Sequence, residues 1–301
     1  MSFVSDIKRS FQDGSMLTKL IFINLGIFVV VKLLMVIFTL CAIPTDWLYW
    51  LTMTSNVEAW LHKPWSVLTY MFLHVDFVHI LFNVLTLYWF GQIFLMFYSQ
   101  RDLVGVYLIG GLAGAAFYVL IFNIFPYFEG YVEWSQLLGA SASVMAIVLA
   151  AAAYSPDYRL RLFLVGSVKL SWLAVAYVLI SILSLADSNG GGECAHIGGA
   201  LAGFFFAVLY KRGTNITAWI GKIIDWVVDL FQKITTKQPK MKVTYEDKNR
   251  KEPDPKRESD MEYNMRKKQE SDNIDRILDK VKQSGYDSLS EDERRALFGR
   301  K

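Results

Sequence analysis

Between Leu17 and Tyr210 the chain carries six apolar stretches, each long enough to cross the roughly 30 Å hydrocarbon core of a bilayer. They fall near Leu17–Ile43, Val75–Tyr98, Leu103–Phe125, Leu137–Tyr154, Leu170–Ala186 and Cys194–Tyr210. In hydrocarbon every backbone polar group needs a partner within the protein, so stretches of this composition read as helices. Hydrophobic residues make up 53% of the chain and charged residues 20%, but most of the charges follow Tyr210. A soluble domain would mix the two classes at helical or strand period. The expected class is therefore all-α: a polytopic membrane protein of six transmembrane helices with a small helical tail. The first stretch is too long for a cleaved signal peptide, and no A-x-A site follows it.

Loop charges orient these spans. Lys8, Arg9 and Lys19 stand at the N-terminal end, Arg101 in the second loop, and Arg159, Arg161 and Lys169 in the fourth. The first loop has only Lys63, and the third and fifth have no Lys or Arg. The positive-inside rule then makes this a multi-pass protein of the cell membrane with both termini cytoplasmic, residues 1–16 being the N-terminal tail. The first loop is rich in tryptophan (Trp47, Trp50, Trp60, Trp65), which suits the outer membrane interface. The net charge of +3 averages two unlike regions, and the basic residues of the tail alternate with acidic ones, so no nucleic-acid partner is expected. Two cysteines, Cys41 and Cys194, imply neither a disulfide framework nor a thiolate metal site.

Polar side chains inside a bilayer are costly and mark function by default. His74, His79 and Asn83 stand at the outer end of the second span, Ser141 and Ser143 at that of the fourth, and His196 at that of the sixth. The orientation puts all of them at one depth. A zinc protease would need His-Glu-x-x-His, which is absent, and the His74–His79 spacing turns the two about 140° apart on a helix. Asp76 and Asp187 sit at span edges and do not suit an aspartyl protease, so no metal or cofactor is expected. Serine chemistry fits better, because a hydroxyl becomes a nucleophile when a histidine takes its proton. His196, Gly199, Ala200 and Gly203 share a helix face, and Gly199-x-x-x-Gly203 permits close approach of a second helix. The small face of Gly139, Ala142 and Ser143 offers that approach. Asn83 and one histidine of the second span could then stabilise an oxyanion. Ser141 and Ser143 lie about 200° apart on a helix, and spacing alone does not choose between them.

Together "HVDFVHILFN" (His74–Asn83), "GASA" (Gly139–Ala142) and "AHIGGALAG" (Ala195–Gly203) resemble the rhomboid intramembrane serine proteases. The three motifs occur in the family's order and span the whole six-helix region, residues 17–210, implying a six-transmembrane-helix rhomboid bundle. By motif, the resemblance makes Ser141 the nucleophile and His196 its general base, a dyad without an aspartate. It makes His79 and Asn83 oxyanion-stabilising, with the Ser141 backbone N–H contributing, and gives His74 a supporting role beside Gly139, Gly199 and Gly203. Ser143 keeps a packing role. It also implies substrates that are transmembrane proteins, cleaved near the outer face. The chain departs from the family at Ala142, where glycine is common, and at Met145, where an aromatic residue often packs on the histidine. Two other readings remain: a catalytically inactive rhomboid-like protein that binds transmembrane helices, and a small transporter, although a transporter would spread its polar residues through both leaflets.

The segment Asp187–Glu193, with three consecutive glycines, reads as a flexible loop or lid before His196. Beyond the spans, residues 211–238 carry Ile216, Trp219, Ile220, Ile223 and Val227 on one side, an amphipathic helix for the inner surface of the lipid bilayer. Residues 239–270 read as a disordered charged linker. Residues 271–301 regain a helical stripe (Ile274, Ile277, Leu278, Val281), closed by Gly285 and followed by a capping box at Ser290–Glu293. This small C-terminal helical hairpin resembles a module found on a subset of bacterial rhomboids. It buries too little to be self-sufficient and is expected to dock on the membrane domain or on a cytoplasmic partner.

Overall fold

The computed structural model describes residues 3–162, 166–187, 189–223, 226 and 260–298. It divides into two compact units, Met1–Lys237 and Gln238–Lys301. The first opens with α1 (Phe3–Asp13) and α2 (Met16–Leu40). The first loop follows, with β1 (Met53–Thr54), α3 (Val57–Leu61) and α4 (Ser66–Thr69). Next come α5 (Phe77–Leu95), α6 (Gln100–Ile124), β2 (Gln136–Leu137) and α7 (Ser141–Tyr154). The strands β3 (Arg159–Leu162) and β4 (Gly166–Lys169) precede α8 (Leu170–Leu183) and α9 (Gly190–Lys211). The strands form two small antiparallel pairs, β1 with β2 and β3 with β4, in an otherwise helical unit.

Side-chain caps set where several helices begin. Ser15 accepts a hydrogen bond from the Thr18 N–H at the start of α2, and Asp76 accepts from His79 N–H at the start of α5. At α6, Ser99 and Asp102 close a capping box. Asp102 is buried and also accepts from Asn215 and Thr217, tying the segment after α9 to the foot of α6. Asn215 therefore has a packing role.

Packing is organised around α7, whose residues Ala142–Val148 are all buried. Glycines of α6 and α9 press against it from two sides. A Cβ on Gly199 would run into the Ala142 carbonyl, and one on Gly203 into the Ala146 carbonyl. On the α6 side, a Cβ on Gly114 would lie 2.6 Å from the Ala142 Cβ. The outer faces are apolar and exposed, for example Val29, Leu33, Val36 and Leu40 on α2, as suits lipid rather than water.

The membrane-spanning expectation is met only in part. Among the described residues four helices (α2, α5, α6 and α9) are long and apolar enough to cross a membrane. The fourth and fifth apolar stretches form helices of only 14 residues each, about 21 Å at 1.5 Å per residue. The fourth stretch is shortened because Gln136–Leu137 pair as a strand with Met53–Thr54 and a turn follows before the helix starts. Most of α7 is buried by its neighbours, so its short length leaves little of it facing lipid.

The first loop is folded, not merely adsorbed at an interface. Trp50 and Trp65 stack with centroids 6.3 Å apart, and the Trp65 indole N–H donates to the Trp50 carbonyl. Lys63 is buried, its ammonium donating to the Tyr49 carbonyl at 2.7 Å and lying 3.3 Å from the centre of that ring. Through β1 and β2 this loop braces the turn that leads into α7.

In the second unit α10 (Asp260–Ser284) and α11 (Glu291–Phe298) form a hairpin. The charged linker expected to reach residue 270 is thus helical from Asp260. Its charges, such as Glu262 and Arg266 four apart, suit a solvated helix as well as a disordered chain, which composition alone does not separate. Gly285 follows α10 at φ +77°, a backbone conformation that favours glycine and ends the helix. The Ser290–Glu293 capping box forms, the Ser290 N–H donating to the Glu293 carboxylate at 2.8 Å. Of the amphipathic helix expected over 211–238, residues 218–223 are helical; most of the remainder lies outside the described residues, as do linker residues 239–259.

Lys280 and the Ser290 backbone hold the Glu293 carboxyl down at about 2. A depressed carboxylate stabilises the fold above its unfolded value and loses that contribution as pH falls toward the folded one. The amide signals of α11 are therefore expected to weaken as pH drops from about 4.5 toward 2, followed by NMR on the full chain. Glu293→Gln should remove that acid dependence.

Candidate active site

Three elements bring the polar residues of the membrane unit to one place. Ser141 is the first residue of α7, His196 lies in the second turn of α9, and His79 and Asn83 stand one turn apart on α5. All four line a cavity of about 180 Å³, together with Phe82, Thr86, Leu138, Tyr177, Asn189 and Gly192. Gly139, Gly199 and Gly203 act on it indirectly, through the backbone. His74 lies outside the cavity lining, although its ring meets that of His79 edge-on with centroids 5.1 Å apart. Because His74 precedes α5, the 140° separation expected of two helical histidines does not apply.

The turn before Ser141 explains the local sequence. Gly139 has φ +123°, closed to most side chains, and its N–H donates to the Tyr70 carbonyl at 2.9 Å. A Cβ at that position would sit 2.7 Å from His79 Cε1 and 2.9 Å from its Nε2. The next N–H, of Ala140, points at His74 Nε2 at 3.4 Å. His74 thus steadies the turn that delivers the serine. Gly139→Ala should lower stability through clash with His79 and backbone strain of about 1–3 kcal/mol, read as a fall in the thermal unfolding temperature in detergent.

Helix position sets the electrostatics. As the first residue of α7, Ser141 stands where backbone N–H groups are unpaired and the helix end is positive, which suits a developing anion. Asn83 uses one amide hydrogen on the carbonyl of His79, at 3.0 Å. Its amide has a second hydrogen to offer the cavity. Ser143 faces the other way, fully buried, with Oγ 2.8 Å from where a Gly111 Cβ would stand.

Around His196 the structure adds groups that motif reading passed over. Nδ1 lies 3.1 Å from Glu193 Oε2 and 3.2 Å from Ser181 Oγ on α8. The Tyr177 ring meets the imidazole edge-on at 5.9 Å, so an aromatic partner comes from α8 while Met145 lies fully buried in α7. Tyr177 and Ser181 carry no local signal. Glu193 did, standing three residues before His196, but the glycines preceding it read as a loop. Instead Gly190–Gly192 form the first turn of α9, which argues against a flexible lid there. A Cβ on Gly191 would meet the Tyr118 ring at 3.0 Å, so these glycines serve packing.

Among the described residues, Ser141 Oγ and His196 share the cavity without a direct hydrogen bond, and no group of three His, Cys, Asp or Glu side chains could hold a metal ion. The arrangement can nevertheless support acyl transfer: a hydroxyl at a helix N-terminus, an imidazole opposite, and amide and imidazole donors beside them.

A family model described as the Rhomboid domain matches residues 61–213. A second, described as a family of unknown function (DUF6576), matches residues 258–298. Among curated proteins, "RHOMBOID-like protein 12, mitochondrial" of Arabidopsis thaliana is similar, being 30% identical over 145 residues. The alignment covers 45% of this chain and 43% of that protein, so the chain spans less than half the length of this relative.

Proposed function

This chain belongs to the rhomboid family, and from that premise we propose that it is an intramembrane serine endopeptidase cleaving transmembrane proteins near their outer ends. Ser141 Oγ attacks the scissile carbonyl while His196 takes its proton, then returns it to the leaving amine. The oxyanion is held by the Ser141 N–H, by Asn83 and by His79. The protein crosses the cell membrane six times, both termini inside, with the enclosed α7 and the outward-facing α8 completing the set. The C-terminal hairpin offers a cytoplasmic docking module.

The observation that carries this reading is the shared cavity. Ser141, His196, His79 and Asn83 come from three separate helices, yet all line one space of about 180 Å³. Chance would scatter costly polar groups through the bilayer. A second reading, a catalytically silent member that binds transmembrane helices, draws on the missing Ser141–His196 hydrogen bond. Catalytic contacts are often loose before substrate arrives and tighten in the complex, which favours the enzyme. The test is cleavage of a model single-span substrate in liposomes, with a fluorophosphonate probe mapped by mass spectrometry. Cleavage with label on Ser141 supports the protease. Substrate capture with neither cleavage nor label supports the silent binder.

A further inference from the structure

We propose that Glu193 is a positioning residue for His196, turning the expected Ser-His pair into a Ser141–His196–Glu193 relay of contacts; this rests on the protease reading above. The two residues are three apart on α9 and share a face. Their side chains are 12% and 15% exposed, and the Nδ1 to Oε2 distance is 3.1 Å. A surface pair of this kind would be worth little, but water is largely excluded from this one.

Chemistry fixes the direction of the bond. Glu193 sits in the first turn of α9, where the positive end of the helix favours the carboxylate form. A carboxylate only accepts hydrogen bonds, so the proton between them belongs to Nδ1. That leaves Nε2 with its lone pair, the form a general base requires. Ser181 Oγ, 3.2 Å from the same Nδ1, confines the ring from the α8 side. Tyr177 confines it further through its edge-on contact.

The proton balance follows. As Ser141 Oγ bonds to the scissile carbon, the C=O pair moves onto oxygen and the hydroxyl proton passes to Nε2. The resulting imidazolium keeps both protons, its charge offset by Glu193. It gives the Nε2 proton to the leaving nitrogen as the C–N bond breaks. Water then repeats the cycle on the ester and restores Ser141. Glu193 touches neither substrate nor reacting atoms and gains no proton at any stage.

The test uses the full-length protein in liposomes with Glu193→Gln and Glu193→Ala. Glutamine keeps shape and polarity but offers an amide that can donate to Nδ1, favouring the wrong tautomer. Both variants should lower kcat about 10- to 100-fold, as loss of a ring-orienting partner commonly does, with KM unchanged. The rate of Ser141 labelling by a fluorophosphonate should fall in parallel. In 15N spectra of histidine-labelled protein, His196 should leave the Nδ1–H tautomer in both variants. A Glu193→Gln protein with the kcat, labelling rate and tautomer of the unsubstituted chain would overturn this assignment and leave the protease intact. An unsubstituted chain that neither cleaves nor labels at Ser141 would overturn both.

Discussion

Ser141→Ala is expected to abolish cleavage of a transmembrane substrate, and His196→Ala to do almost the same. Alanine at 141 removes the only atom that forms the acyl bond. On the proposed mechanism alanine at 196 removes the base, because His79 is assigned to the oxyanion. Residues that act as one unit lose activity once, so the double variant should be no worse than Ser141→Ala alone. Each single change should lower kcat by about 10⁴-fold or more, a barrier rise of roughly 5 kcal/mol. Because Ser141 faces the cavity at the N-terminus of α7, thermal unfolding should barely change. Ser143→Ala is the matched control. Ser143 is buried against Gly111, so its loss is a packing change and cleavage should persist. Full cleavage by Ser141→Ala would exclude it as the nucleophile.

Gly199→Ala is the second large effect, and it should damage both stability and turnover. The added Cβ would strike the Ala142 carbonyl, and neither side of that clash is a flexible side chain. The α7–α9 pair must separate to admit one methyl group. Overpacking of this kind costs about 1–3 kcal/mol, more when backbone faces backbone. The same separation moves His196 from Ser141, and a displacement of about 1 Å can cost about 100-fold in rate. Gly203→Ala meets Ala146 in the same way, one turn deeper, and should lower the unfolding temperature with less effect on turnover. Leu201→Ala, on the exposed side of α9, should change neither. Thermal unfolding in detergent and kcat in liposomes check the series, and a stable, fully active Gly199→Ala would refute the close-packing account.

What could be read from the chain depended on the range of each interaction. His79 and Asn83 share a face at four-residue spacing, and His196, Gly199 and Gly203 share another, because helix periodicity is a local property. The Gly285 stop and the Ser290–Glu293 capping box were equally legible, since both close within a few residues. The choice of Ser141 over Ser143 needed the family motif, as rotation along a helix gives no absolute direction. Glu193 was written three residues from His196, yet Gly190–Gly192 masked it by suggesting a loop. In the helix Gly190 and Gly191 face Phe128 and Tyr118, which occupy the space a side chain would take.

By itself the sequence determined that this is a helical membrane protein, because apolar length and charge segregation act through the solvent and need no partner. It also determined which residue types could carry chemistry, since polar groups in a bilayer are too costly to be incidental. Only the tertiary structure decided that the fourth and fifth apolar runs are short helices, the fourth because Gln136–Leu137 pair as a strand with the first loop. Only the fold brings Tyr177 and Ser181 from α8 to His196 and turns Gly139 against His79. These contacts join residues far apart in the chain, and such pairings are set by how helices pack.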